Sequence, residues 1–263
     1  MPAVENFYGI RDEVPGSKTN ATFYSTNSTR YYGGAGLYRN IGIHHMEVGL
    51  FYQYIKVNKQ GDQFLGSALT DQSVFTGKHF TGIEAGYQLK KVNDNVFPTR
   101  GIHFTLGGGY VQNIKEKSRS FVKASSSLSL YIPLSKSFTL AVRGGGGVMD
   151  GKADYYHFNT LGGNENLRGY ARERFFGKNS FYNNNELRWV FNTKNYFFTG
   201  RMGLLAFYDN GKIWQPGMDP RKSWHAGYGA GMILIPFNKV ALTGSYGISE
   251  ETSTILLQAH VFF

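Results

Sequence analysis

The chain has 263 residues, a formal net charge of +10, 34 glycines, 21 phenylalanines, 18 tyrosines and no cysteine. The lack of cysteine excludes disulfides, thiolate catalysis and cysteine metal sites, and the scattered lysines and arginines do not form the basic runs of nucleic-acid-binding arms. No apolar run of about 18 residues is present, which excludes a transmembrane helix but not membrane-spanning strands, because these alternate apolar and polar residues.

Apolar and polar residues alternate along most of the chain, and this period of two predicts β-strands. In Trp224–Ile235, for example, Tyr228 and Met232 share one face while Gly227 and Gly231 share the other. The same pattern predicts eleven strands: Thr22–Asn40, Glu47–Val57, Phe80–Lys90, Ile102–Gln112, Phe121–Ile132, Phe138–Met149, Phe181–Phe191, Phe198–Asn210, Trp224–Ile235, Val240–Gly247 and Ser253–Phe263.

A barrel whose two chain ends lie on the periplasmic side needs an even number of strands. We therefore expect a further strand near Phe7–Val14, followed by an external turn at Pro15–Thr19. The prediction is about twelve strands in all.

The connections between the predicted strands alternate strictly between short and long. Short turn signals occur at Asn93–Asn95 and Ser135–Ser137, whereas Asn58–Lys78 and Asp150–Ser180 are long polar segments. Tight periplasmic turns and long external loops are typical of outer-membrane barrels. The sequence therefore predicts an all-β fold: one transmembrane antiparallel up-and-down β-barrel over residues 1–263, in the bacterial outer membrane and surrounded by its lipids. In this prediction residues 1–19 form a short N-terminal segment.

The two chain ends carry further signals. Met1–Asn6 lacks the basic and apolar regions of a signal peptide, so we expect that a leader was removed or that the chain begins inside a longer protein. The last predicted strand is amphipathic, carries Val261 on its apolar face and ends at Phe263. An aromatic terminal residue on such a strand resembles the signal that outer-membrane proteins present to their assembly machinery.

The long segment Leu161–Tyr170 places Arg168 in a polar loop. Strand alternation points Glu186 and Asp209 into the lumen, near the end at which this loop enters. A guanidinium presents a rigid fork of donors that suits carboxylates, and such a pair is stronger in a partly dry lumen than on a surface. We therefore predict that the loop 150–180 folds into the lumen. In this prediction Arg168 fastens the loop to the barrel wall through Glu186 and Asp209. We call these three residues the staple.

Three motifs in order resemble the BamA/TamA superfamily, the bacterial surface antigen family: Leu161–Tyr170, Asn185–Arg188 and Ala206–Gly211. The resemblance implies that an external loop places Arg168, Gly169 and Tyr170 against acids on the next two strands, here Glu186 and Asp209. It also implies a role in outer-membrane protein insertion or polypeptide translocation. Two further segments resemble turn motifs of the family: Asn6–Ile10 and Asp94–Gly101. Against the pattern of the family, we expect this sequence to lack the periplasmic polypeptide-transport repeats and the first strands of the barrel.

Two other functions are considered for this sequence. One alternative is a passive or structural barrel that anchors a separate periplasmic domain. An outer-membrane hydrolase is disfavoured, because no serine, histidine and acid converge on one rim. The prediction is therefore a non-enzymatic protein with no cofactor, no metal and no nucleic-acid partner, with client polypeptides as its partners and with a homodimer left open.

Overall fold

The computed structural model describes residues 2–6, 25–59, 72–194, 199–215 and 224–261. Within these residues, twelve strands form one antiparallel sheet in which neighbours in space are also neighbours along the chain. The strands are β1 (Pro2–Asn6), β2 (Ser25–Ile41), β3 (His44–Val57), β4 (Lys78–Val92), β5 (Gly101–Asn113), β6 (Ser120–Pro133), β7 (Phe138–Gly151), β10 (Asn179–Lys194), β11 (Thr199–Trp214), β12 (Trp224–Pro236), β13 (Val240–Ser249) and β14 (Ser253–Val261).

The connection between β7 and β10 carries its own secondary structure. A single 3-10 turn covers Tyr155–His157, and β8 (Asn159–Leu161) pairs with β9 (Phe175–Gly177) in a small antiparallel hairpin. Another 3-10 turn covers Gln72–Phe75 before β4. The described residues contain no helix that is long and apolar enough to cross a membrane.

The all-β, up-and-down architecture is confirmed, and the eleven predicted strands correspond to β2–β7 and β10–β14. The strand described before Ser25 is β1, which pairs with Ser25–Thr29. The predicted strand at Phe7–Val14 and turn at Pro15–Thr19 lie outside the described residues.

The two faces of the sheet differ as the alternation predicts. On β11, Leu204 and Tyr208 are about half exposed on the outer face, whereas Phe207 and Asp209 point inward and are buried. On β12, Tyr228 and Met232 are exposed on the outer face. The outer surface is therefore an apolar belt suited to lipid.

The sheet curves around a lumen. A cavity of about 200 Å³ is lined by side chains from β4, β5, β6, β10, β11, β13 and β14, among them His103, Tyr131, Arg188, Leu205 and Gln258. Strands that stand far apart in the order of the sheet can line one cavity only if the sheet bends round on itself. The fold is a β-barrel.

The two ends of the barrel carry different connections. The connections 42–43, 93–100, 134–137 and 237–239 define one end, called the short-turn end here. The opposite end, called the long-loop end, carries the connections 114–119 and 152–178. The predicted strict alternation of short and long connections is wrong in two places. The connection 93–100, at the short-turn end, is longer than 114–119, at the long-loop end. Glu250–Thr252, also at the long-loop end, is a tight turn held by a hydrogen bond from the Ser249 N–H to the Thr252 carbonyl.

Two neighbouring residues on β6 test which face meets lipid. Leu128 is exposed on the outer face, and Ser127 points inward, where its hydroxyl lies 2.8 Å from the Thr105 hydroxyl. We expect Leu128→Arg to lower the free energy of unfolding in lipid vesicles by about 2–4 kcal/mol, because it places a charge in the hydrocarbon region. Ser127→Arg, at the same depth, faces the polar lumen and costs much less. Equal losses in denaturant titrations of the two variants would contradict this assignment.

Candidate functional site

The connection 152–178 folds into the barrel and packs against its wall. Leu161, Leu167 and Tyr170 are almost completely buried and form one apolar cluster with Phe175 of β9 and Ile213 of β11. A bridge between Gly163 and Leu167 closes the tip of the loop. Because the loop buries apolar side chains against β11, its position is fixed by packing as well as by charge.

Arg168 stands next to this tip and reaches two carboxylates. Its Nε and Nη2 donate to the two oxygens of Asp209 at 2.7 and 2.8 Å, and its backbone N–H donates to Asp209 Oδ2 at 3.1 Å. Its Nη1 donates to Glu186 Oε2. The structure thus brings together the three charged residues of the staple in a bidentate arrangement that only a guanidinium can make.

The staple is shielded from water. The side chain of Asp209 is fully buried, and those of Arg168 and Glu186 are only 11% and 12% exposed. The guanidinium also lies over the ring of Phe207, 3.8 Å from its centre. Burial by itself would lower the pKa of Arg168, but the hydrogen bonds and charges of Asp209 and Glu186 outweigh burial and raise this pKa above its ordinary value.

A second arginine extends the staple. Arg188 Nε donates to Glu186 Oε1 at 2.6 Å, and Arg188 Nη1 donates to the Pro98 carbonyl at 3.1 Å. The two arginines and the two carboxylates balance in charge. The sequence motif Asn185–Arg188 contains this arginine, but the sequence prediction did not single it out. Its position two residues after Glu186, on the same face of β10, is the signal that could have found it.

Glycines let the loop tip approach the wall closely. Gly169 has a φ of +97°, a conformation that favours glycine, and a Cβ there would lie 2.8 Å from the Ile248 carbonyl oxygen. Opposite it, a Cβ on Gly227 would lie 1.9 Å from the Arg168 carbonyl oxygen. The Ser249 hydroxyl donates to the Gly169 carbonyl at 2.9 Å.

Tyr170, the remaining residue of the predicted tip, is 1% exposed. Its ring packs edge-on against Phe175, with ring centres 5.2 Å apart, and against His225 at 5.8 Å. Burial and the nearby carboxylates of Glu250 and Glu251 raise the pKa of Tyr170 to about 12. Tyr170 therefore serves as a buried, neutral anchor of the loop.

The start of the loop has a separate anchor, which the sequence did not reveal. Asp154 is buried and accepts from Lys78 Nζ at 2.8 Å, from Arg119 Nη1 at 3.0 Å and from the Tyr156 hydroxyl at 2.9 Å. Lys78 lies on β4 and Arg119 precedes β6, so one carboxylate joins three segments that are remote in sequence. No local motif marks such a group.

The end of the loop is held by a further ion pair. Arg174 is 2% exposed, and its Nε and Nη2 donate to the two oxygens of Glu251 at 2.6 and 2.8 Å. Glu251 lies in the tight turn between β13 and β14. Buried ion pairs therefore hold the loop at its start, at its tip and at its end.

The predicted C-terminal signal is only partly described. Val261 is the last residue of β14, where it pairs with Val240 of β13. Phe263 lies outside the described residues.

Loss of the staple should release the loop from the barrel wall. Arg168→Ala leaves Asp209 and Glu186 buried without their shared partner, which costs about 3–5 kcal/mol. We expect the variant to stay a folded, heat-modifiable barrel whose loop is cut by external protease. Arg168→Lys should give intermediate protection, because an ammonium cannot form the bidentate fork.

Arg172→Ala is the matched control for this prediction. Arg172 belongs to the same loop, but its side chain is 78% exposed and lies 3.8 Å from Glu173. An exposed pair of this kind contributes little to stability. If Arg168→Ala and Arg172→Ala were cut at the same rate, the staple would not be what holds the loop.

The buried side chain of His157 should make the stability of the protein depend on pH. Nε2 of His157 is enclosed and has no hydrogen-bond partner among the described residues, and its ring lies 4.8 Å from those of Phe80 and Phe121. Burial, with help from nearby cationic side chains, lowers the pKa of His157 to about 3. The unfolded histidine takes up a proton below about pH 6.5 and the folded one does not, so stability falls as pH drops below that value.

The test compares unfolding temperatures at about pH 7 and about pH 5 in detergent micelles, since His157 ionises only in the unfolded chain over this interval. The protein should lose more stability than a His157→Phe variant, which keeps an aromatic ring but cannot be protonated. Identical losses in the two proteins would show that His157 does not contribute.

The model of the Omp85 superfamily domain matches residues 6–237. No curated protein sequence gives a significant match. Among solved structures, BamA from Haemophilus ducreyi lacking POTRA domains 1–3 is similar, with a TM-score of 0.71 and 15% identity over 90% of this chain and 55% of that one.

Two further similar structures are CdiB proteins. CdiB from Escherichia coli has a TM-score of 0.61 and 18% identity, over 90% of this chain and 46% of that one. CdiB from Acinetobacter baumannii has a TM-score of 0.61 and 12% identity, over 90% of this chain and 42% of that one. At these identities the likeness shows the fold, and the chain spans about half the length of the structures it matches.

Proposed function

Since the chain belongs to the Omp85 superfamily, we propose that it is a bacterial outer-membrane barrel that inserts or translocates other polypeptides without covalent chemistry. The observation that carries the proposal is the staple. A buried guanidinium joins a lumen loop to two adjacent wall strands, so the loop braces the wall while it occupies the lumen. The BamA and CdiB barrels have a similar fold.

The edge of β2 offers a place for a client segment. β1 pairs only with Ser25–Thr29, and within the described part of the chain no strand pairs with Arg30–Ile41 on that side. Residues 31–41 are exposed. An open strand edge presents unpaired N–H and carbonyl groups that template the addition of another strand. In this proposal a client β-segment pairs there before it leaves for the lipid phase.

The outer surface supports a location in the membrane. The exposed apolar side chains of β10–β14 include Trp189, Leu204, Met232 and Leu257. They form a continuous outer surface that outer-membrane lipids would cover. The proposed partners are therefore these lipids and client polypeptides.

A passive barrel that anchors a separate periplasmic domain is the second candidate. Three buried attachments of the loop, through Asp154, Arg168 and Arg174, favour it. The loop fills the lumen and is held at three points. This arrangement suits a static anchor as well as a barrel that acts on other polypeptides. The two functions differ in whether the barrel changes the folding rate of other polypeptides.

Reconstitution separates the two candidates. Unfolded outer-membrane protein is added to liposomes with and without the barrel, and its heat-modifiable folding is followed in time. A several-fold faster folding of the client is expected for an insertase. The same rate as in empty liposomes would support the passive anchor.

Cross-linking then tests the proposed edge. The chain has no cysteine, so Ala35→Cys on β2 and Ala85→Cys on β4 each introduce a single thiol. Both alanines are exposed on the outer face, and Ala85 lies on an interior strand of the sheet. A client with one cysteine in its last strand should cross-link to position 35 and not to position 85. Cross-links between two copies at position 35, without client capture, would instead identify the edge as a dimer contact.

A further inference from the structure

The turn between β4 and β5 is a rigid, preformed element. The Asn93 carboxamide oxygen accepts from the N–H groups of Thr99 and Arg100, at 3.1 and 2.9 Å. The Asp94 carboxylate accepts from the N–H groups of Val96 and Phe97 at 2.9 and 3.2 Å. These side-chain caps replace the ladder bonds that the backbone lacks in the turn.

Phe97, at the tip of this turn, is buried on the opposite wall of the barrel. It is 5% exposed and packs in one apolar cluster with inward-facing side chains of β11–β14: Leu205, Phe207, Ile233, Ile235, Ala241 and Leu256. β4 and β5 stand between four and eight places away from these strands in the sheet order. The turn therefore crosses the lumen at the short-turn end instead of pointing into solvent.

Two polar contacts hold the turn in this position. Arg201 Nη2 on β11 donates to Asp94 Oδ2 at 2.6 Å. Arg188 donates to the Pro98 carbonyl, and its guanidinium lies 4.5 Å from the centre of the Phe97 ring. Burial alone would raise the pKa of Asp94, but the Arg201 hydrogen bond and the two backbone N–H groups hold it below its usual range. Asp94 is therefore ionised and able to pair with Arg201 at neutral pH.

The turn leaves little space between itself and the staple. The cavity that remains between Pro98, Arg168 and Glu186 measures about 200 Å³. A larger cavity of about 690 Å³ lies towards β3–β6, with Glu47, Glu84 and Lys123 in its polar lining. A polar lumen of this kind holds water and hydrated ions.

We infer that the Asn93–Arg100 turn is a removable plug at the short-turn end, and that its release opens a path for hydrated ions through the lumen. The plug is held by the apolar contacts of Phe97 and Val96, by the Asp94–Arg201 ion pair and by the Arg188–Pro98 hydrogen bond. Removal of any of these contacts favours the released state, in which Phe97 leaves the cluster on β11–β14. This passage of ions is a property separate from the proposed action on client polypeptides.

The test is single-channel conductance in planar lipid bilayers. Phe97→Ala removes the buried ring, and Asp94→Arg places two cations against each other at the ion pair. Each variant should show a several-fold higher mean conductance or open time than the unmodified protein. The double variant Asp94→Arg with Arg201→Asp restores an ion pair of opposite direction and should return the conductance part of the way to its original level, because an arginine at position 94 cannot accept from the N–H groups of Val96 and Phe97.

Arg100→Ala is the matched control, because Arg100 lies in the same turn with an exposed side chain. It should leave the conductance unchanged. Heat-modifiable migration verifies that every variant is folded, and protection of the long loop from protease verifies that the Phe97→Ala, Asp94→Arg and Arg100→Ala variants keep that loop in place. The inference is overturned if folded Phe97→Ala and Asp94→Arg proteins conduct like the unmodified protein, or if only Arg168→Ala raises conductance, which would assign closure to the long loop alone. Client folding in liposomes is measured separately, so failure of one assay leaves the other result intact.

Discussion

The burial of one guanidinium governs the arrangement of the lumen. An isolated charge removed from water costs many kilocalories per mole, so Arg168 can occupy the lumen only because Asp209 and Glu186 meet it there. The two carboxylates in turn require a cation, since Asp209 is completely buried. The arginine and the carboxylates thus each offset the cost of removing the other from water. The loop and the strands β10 and β11 therefore form one unit.

The close approach of backbones follows from this charge arrangement. Where Arg168 meets Asp209 with both its side chain and its backbone N–H, the loop also lies directly against β12 and β13. Gly227 and Gly169 permit that approach, because a Cβ at either position would collide with the facing backbone. The glycines and the arginine thus serve the same contact.

Strand alternation predicted the staple, and the contacts it did not predict have a common cause. Glu186 and Asp209 could be assigned to the lumen because a strand repeats every two residues, and the resemblance to the superfamily that rested on the same residues is confirmed by the Omp85 match. Alternation says which face a side chain occupies and nothing about which distant strand it meets. The Lys78–Asp154 pair and the burial of Phe97 depend on the curvature of the whole sheet. The tight turn at Glu250–Thr252 was also missed, although the polar segment Ser249–Ser253 is only five residues long in the sequence.

The staple and the turn at the short-turn end meet on the same residues. Phe207 lies beneath Arg168 and also belongs to the cluster that holds Phe97, while Arg188 contacts both Glu186 and Pro98. Because these residues are shared, movement of the loop would disturb the contacts that hold the turn. Movement of the turn would likewise disturb the contacts that hold the loop. The wall from β10 to β13 is braced from both ends by these contacts. By contrast, residues 31–41 of β2 are exposed. The contacts shared by the staple and the turn thus lie on β10 and β11, and within the described residues none of them involves residues 31–41 of β2, where the open strand edge lies.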